Sequence, residues 1–226
     1  MSNSSMISYT KLSPNNSGER TMNIDRITPH CVVGQCSVET LGKIFSNTSI
    51  KASSNYGIGV DGRVGMYVPE NKRSWCSSSA ENDQRAVTIE CASDTNEPYR
   101  MNDAVYKTLV KLCVDICKRN YKTALLWLGD KEKTLAYSPK SNEMVLTVHR
   151  WFANKSCPGN WLYSRLGSLA ESVTKELSKN VEPGNNLYRV QVGAFRNKQN
   201  AENYLAKIKK AGFNDAFITV VKDYYK

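Results

Sequence analysis

A histidine and a cysteine eight positions apart, His149 and Cys157, with Pro158 directly after them, constrain this chain more than any other feature. On one continuous helix, eight residues cover about 12 Å along the axis. Two donors sharing a zinc ion, at Zn–N and Zn–S distances of ~2.0–2.3 Å, lie far closer together than that. If both are ligands, the segment between them has to bend back, and Asn154 to Gly159 has the composition of a loop. The other histidine of the chain, His30, is read as a third ligand brought in from a distant element. Three protein ligands with an open fourth position form a zinc site of the catalytic kind. Cys157, just before Pro158, is expected at a helix N-terminus, where the positive end of the dipole favours the thiolate. Spacing alone leaves two other accounts open. In one, the histidines are ordinary and Cys157 is a small core residue. In the other, Cys157 is a nucleophile with a histidine base, sensitive to alkylation and indifferent to chelators.

Around this stretch the pattern alternates strands and helices. Asn23 to Ile27 reads as a strand that delivers His30 past Pro29, and Ser37 as the N-cap of a helix carrying Leu41, Ile44 and Phe45 on one side. Tyr56 to Val60 and Arg63 to Val68 flank Asp61-Gly62, the dipeptide of a type I′ hairpin. Ala86 to Cys91 is a strand with Val87, Ile89 and Cys91 on one face and Thr88 and Glu90 on the other. Asn102-Asp103 opens a helix whose Val105, Leu109, Leu112, Cys113 and Ile116 form one apolar stripe. Ala124 to Leu128 reads as a buried strand, followed by a loop from Gly129 to about Asn142. Pro158 starts a last helix carrying Trp161, Leu162, Leu166, Leu169, Val173 and Leu177. The expected fold is α/β, a mixed central sheet flanked by helices. Residues 1–22 read as a polar, weakly structured lead-in, 23–178 as the catalytic domain, 179–186 as a linker and 187–226 as a second module.

The 226 residues suffice for one well-buried core and a small second unit. The formal net charge of +10 favours an acidic partner such as nucleic acid, an anionic membrane or an anionic cell wall. Seven cysteines without scaffold spacing point to reduced thiols. The polar, Ser/Asn-rich start has no apolar core of a signal peptide, and no stretch is long and apolar enough to span a membrane. The expectation is a protein made in the cytoplasm that reaches its target after release. Nucleic-acid binding would use the charge, but no nucleic-acid motif accompanies it.

Four segments together resemble a known family. They are Ile27-Thr28-Pro29-His30; Ser53 through Val64, with its Tyr56-Gly57-Ile58-Gly59-Val60-Asp61-Gly62 core; Val87-Thr88-Ile89-Glu90; and His149 through Cys157-Pro158-Gly159. In order and type they are similar to the type 2 N-acetylmuramoyl-L-alanine amidases of phage endolysins and bacterial autolysins, relatives of the peptidoglycan recognition proteins. The resemblance implies zinc held by His30, His149 and Cys157, with Glu90 as the acidic catalytic residue and Lys155 as the catalytic lysine. It also implies cleavage of the bond between muramic acid and L-alanine, with peptidoglycan stem peptide and glycan as partners. Asn55 and Trp75 are read as lining the substrate cleft, each with a structural alternative as a strand-end hydrogen bond and a buried aromatic. Many relatives carry Tyr where this chain has Ser54. A peptidoglycan-binding receptor without catalysis is the alternative function.

The tail, from Leu187 on, has 8 Lys/Arg against 3 Asp/Glu. Tyr188 through Phe195, Asn200-Ala201-Glu202 and Ala211-Gly212-Phe213 resemble a SPOR (sporulation-related) repeat, which implies glycan binding. A strand at 187–195, a helix at 198–210 and a strand at 213–221 make a βαβ half module, with Arg189, Gln191 and Phe195 on the sugar-facing side. A two-stranded sheet is marginal alone, so the half module is expected to pair with another chain as a homo-oligomer.

Overall fold

The computed structural model describes residues 2–179, 190–214 and 216–220. It divides into two units, Met1–Glu182 and Pro183–Lys226.

In the first unit the strands are β1 (Ile7–Thr10), β2 (Asn16–Glu19), β3 (Arg26–Cys31), β4 (Tyr56–Ile58), β5 (Val64–Met66), β6 (Lys72–Ser74), β7 (Ala86–Cys91), β8 (Ala124–Leu126) and β9 (Glu143–Leu146). The helices are α1 (Val38–Phe45), α2 (Ala80–Arg85), α3 (Asp103–Arg119), α4 (Lys131–Ala136), α5 (Gly159–Tyr163) and α6 (Leu166–Ser178). Seven strands form one sheet in the order β1-β5-β4-β7-β3-β9-β8, and β2 pairs with β6 in a second, two-stranded sheet. Only the β4–β5 pair of the large sheet is antiparallel. The architecture is the expected mixed sheet flanked by helices.

The central strands are buried on both faces. Val87, Ile89 and Cys91 of β7 and Ile27 of β3 pack with the stripe of α3 and with Leu166, Leu169 and Val173 of α6. Six residues of α3 are buried. At ~1.5–3 kcal/mol for each large apolar side chain, that packing outweighs the ~1 kcal/mol of its Asn102 cap. Packing holds the helix, and the cap sets where it starts.

Several expectations need correction. Residues 2–22 are ordered, because β1 and β2 pair with β5 and β6 and the polar groups around them find partners. The Arg20 guanidinium donates to the carbonyls of Glu70 (2.6 Å), Gln84 (2.9 Å) and Ala86 (2.8 Å) and to Asn55 Oδ1 (3.1 Å). The backbone N–H of Ser4 donates to Tyr56 Oη, which donates to the fully buried Glu70, itself paired with Arg119 at 2.6 Å. The β4–β5 turn has positive φ at Gly62 (82°) alone, so it is not type I′. Gly62 N–H bonds to Gly59 O and Gly59 N–H to Arg63 O, a three-residue hairpin loop. Ile44 of α1 is 37% exposed. The last helix is two, α5 and α6, broken where Arg165 N–H bonds to Leu162 O; Pro158 precedes α5 as its cap. The expected loop at 129–142 contains α4, and β9 follows it.

Pro29 sits inside β3, a central strand, without breaking the ladder. Pairing of β3 with β9 stops at Ile27↔Leu146, and Ile27 O accepts from Thr147 N–H. Ile27 and Pro29 point the same backbone edge toward β9, so the N–H that proline lacks falls where β9 has already ended. Past that point the chain turns off the sheet toward His149.

In the second unit, α7 (Lys198–Lys210) forms where expected, capped by Asn197. The described parts of the two expected strands, 190–195 and 213–220 without residue 215, are not assigned to strands. A strand needs a partner to be satisfied, and none is present for them among the described residues. Arg189 and the expected linker from residue 180 lie outside the described residues. The large apolar side chains Val190, Val192 and Phe217 are exposed, and Phe195 packs its ring on Tyr204 (5.3 Å between centroids). Among the described residues, no helix is long and apolar enough to cross a membrane.

Candidate active site

The parallel register of β3 on β7 sets His30 directly beside Glu90. His30 is 1% exposed and Glu90 18% exposed, with Nδ1 and Oε1 3.9 Å apart. The chain leaving β9 brings His149 to the same place, its ring centroid 5.1 Å from that of His30. Cys157 then returns, its Sγ 3.3 Å from His30 Nδ1.

Arg150 makes that return possible. Its backbone N–H donates to Cys157 O at 3.1 Å, and its guanidinium donates to Ser156 O and to Asn160 Oδ1 (3.1 Å). The same guanidinium lies 4.5 Å over the Tyr163 ring. One side chain thus ties both ends of the loop and the start of α5 together. Gly159, at φ +80°, opens α5 against Pro98 and Tyr99. The helix has only five residues, so the expected contribution of a helix dipole to Cys157 is not available.

The donor atoms of His30, His149 and Cys157 all lie within 4.8 Å of one another. Two donors of a tetrahedral zinc site are separated by about 3.5 Å, close to the 3.3 Å between Cys157 Sγ and His30 Nδ1. His30 Nε2 and Glu90 Oε2 are buried with no hydrogen-bond partner among the described residues. Burial, with the neighbouring His149, holds His30 well below the usual histidine range. Burial and the charge of Lys155 lower His149. Both rings are therefore neutral near pH 7, the form that binds a metal. The Cys157 thiol is pushed up by its contact with Cys31, by burial and by Glu90; a bound metal would displace its proton. Two neutral imidazoles and a thiol at this spacing fit zinc.

Burial pushes the Glu90 carboxyl up to about 7, partly offset by the Cys76 thiol 3.8 Å from its Oε1. Lys155 is exposed and lines a pocket with Glu97, Arg150, Ser156 and Asn160.

Asn55 does not line the cleft. It is fully buried, accepting from Thr88 N–H (3.1 Å) and donating to Val68 O (3.1 Å), Pro69 O and Lys72 O. It is a hub that joins β7 to the ends of β5 and β6. Ser54 is also fully buried and donates to Tyr56 O. Trp75 is half-buried, its indole N–H donating to Ser17 Oγ of β2 at 2.7 Å. Two residues near the site escaped the sequence reading. Cys76 groups with His30 and Glu90 within 4.8 Å, and Ser78 Oγ lies 2.9 Å from His149 Nε2. Their segment, Trp-Cys-Ser-Ser-Ser, has no periodicity to mark it.

Residues 20–160, more than half of the chain, match the N-acetylmuramoyl-L-alanine amidase family, and residues 162–226 match the SPOR domain. The SPOR match includes α6, which here packs on α3 and β8 in the first unit. Among solved structures, an AmpD derivative is 18% identical over 77% of this chain and 96% of its own, with a TM-score of 0.50. The N-acetylmuramoyl-L-alanine amidase LysC from Clostridium intestinale is 17% identical over 72% of this chain and 94% of its own, at a TM-score of 0.47. The catalytic domain of XlyA is 16% identical over 73% and 97%, at 0.48. At 18% identity the likeness to the AmpD derivative concerns the fold alone. No curated protein matches the sequence. The match over most of the first unit means that this chain belongs to the N-acetylmuramoyl-L-alanine amidase family and carries a SPOR domain behind it.

Proposed function

We propose that this chain is a zinc-dependent peptidoglycan hydrolase that cuts the amide between the lactyl carbonyl of N-acetylmuramic acid and L-alanine, as an endolysin or autolysin. The observation that carries the proposal is the convergence of His30, His149 and Cys157 beside the half-buried carboxylate of Glu90. Those three residues would hold the ion. When bound, zinc supplies a Lewis acid that brings the acidity of water toward neutral pH and polarises a carbonyl.

The other roles belong to the chain itself. Glu90, with its carboxyl pushed up to about 7, is poised to take a proton at one stage and return it to the leaving amine of alanine at another. Its Oε2 has no competing hydrogen bond among the described residues, which suits an atom that exchanges protons. Lys155, exposed and lowering His149 through its charge, is assigned the role of supplying positive potential where the amide oxygen becomes negative. Trp75, and in the tail Arg189, Gln191 and Phe195, are the side chains proposed to meet the wall polymer. The basic tail adds attraction to anionic wall. Pairing of the tail with a second copy belongs to the same proposal.

Treating purified cell walls with the protein tests this. Turbidity should fall, a chelator should stop the fall, zinc should restore it, and thiol alkylation of the zinc-loaded protein should have little effect. Binding without any fall in turbidity would leave a wall receptor in its place. Loss by alkylation with indifference to chelator would favour a cysteine nucleophile.

A further inference from the structure

Between β6 and α2 the chain makes a turn, Cys76–Ser78, that touches the site twice. Ser78 Oγ lies 2.9 Å from His149 Nε2. The Cys76 thiol lies 3.8 Å from Glu90 Oε1, leaving Oε2 without a partner among the described residues. The turn is rigidly held from behind. Asp83, 2% exposed, accepts the backbone N–H of Cys76 at 2.9 Å and that of Ser77 at 3.1 Å. Ser77 Oγ accepts from buried Asn82, which also bonds to Thr28 and Thr147 on β3 and beside β9. Ser79 caps α2. Ser78 itself sits at φ +63°, a left-handed conformation that costs energy for any residue but glycine. In that conformation its hydroxyl meets a histidine of the site.

Resting on the zinc amidase reading, we propose that the Cys76–Ser78 turn is the positioning element of the site: Ser78 orients the His149 ring and Cys76 aims the Glu90 carboxylate. A metal ligand has to offer a nitrogen lone pair, and Ser78 engages Nε2. Nδ1 is then the nitrogen of His149 left for a metal, and Ser78 accepts a hydrogen bond from Nε2–H. Such outer hydrogen bonds fix the tautomer and orientation of a ligating ring. The thiol, a weak donor, holds Oε1 so that Oε2 is the atom that exchanges protons. The two contacts act on different properties, one on metal affinity and the other on turnover.

That separation makes the test. Zinc affinity of the full chain, measured by competition with a chromophoric chelator, should weaken 10- to 100-fold in Ser78→Gly. Its melting temperature should stay level or rise, because glycine relaxes the backbone at 78. Cys76→Ala should leave zinc affinity within twofold and lower kcat on a soluble muropeptide about fivefold to tenfold at unchanged KM. Cys76→Ser, which keeps a donor, should recover most of kcat. Unchanged zinc affinity in Ser78→Gly would overturn the Ser78 assignment. A parallel fall in melting temperature, zinc affinity and turnover in both variants would reduce the turn to a structural support and overturn the proposal. If the unaltered protein releases no alanine amine, the amidase reading fails, while the zinc titration still decides the role of Ser78.

Discussion

Arg150 provides a demanding test of how the site is assembled. Replacing it with alanine removes the guanidinium bonds to Ser156 O and Asn160 Oδ1 and the stacking on Tyr163, but keeps the backbone bond from residue 150 to Cys157 O. The further contact to Cys157 O, at 3.5 Å, is too long to count for much. Each half-exposed bond is worth ~0.5–1 kcal/mol net and the cation–π contact ~0.5 kcal/mol, about 2 kcal/mol together. That energy bears on closure of the His149–Cys157 loop, which brings the two proposed zinc donors together. If closure becomes incomplete by that amount, apparent zinc affinity falls about 10- to 30-fold. Arg150→Lys keeps the charge without the planar fork and should recover only part of the loss. Chelator competition reads the affinity, and far-UV circular dichroism should show an unchanged fold, since the core lies elsewhere. Zinc affinity within twofold of the parent would refute the idea that Arg150 closes the loop.

Three other substitutions follow from the same geometry. Glu90→Gln should retain zinc while kcat falls about 10²- to 10⁴-fold; a full rate would remove Glu90 from proton transfer. In Gly159→Ala the new Cβ would lie 2.7 Å from Pro98 O and 2.8 Å from Tyr99 Cβ, at φ +80°. A cost of about 2–4 kcal/mol should lower the melting temperature by roughly 5–15 °C, and a change within the error of a melting curve would contradict it. Asn55→Ala strips partners from Thr88, Val68 and Lys72 and should destabilise the fold by about 3 kcal/mol or more. A raised KM with an unchanged melting temperature would instead return Asn55 to the cleft.

The elements most legible in the sequence were those whose pattern reports local physics. The alternation of Ala86–Cys91 marked both the bounds of β7 and the face bearing Glu90. Asn102 and the three-four spacing behind it marked α3. The His149–Cys157 spacing required a bend, and the structure supplies one. What stayed hidden depends on distant partners. Residues 1–22 are polar, and β1 and β2 form there only because β5 and β6 come to pair with them, with Arg20 and Ser4 tied to distant partners at either end. The helices α2 and α4 have six residues each, too short for an apolar stripe to declare itself. Asn55 reads the same on paper as a cleft residue and as a hub; burial alone separates the two. The Cys76–Ser78 turn gains meaning only when β7 and the His149 loop arrive beside it.

The central claim, amide hydrolysis at the muramic acid–alanine bond, is tested most directly by mass and end-group analysis of a digested muropeptide. The expected products are a peptide with a new N-terminal alanine and an intact saccharide bearing the lactyl acid, formed with zinc and absent after chelation. New reducing sugar ends, or a cut within the peptide with the alanine still attached to muramic acid, would contradict it.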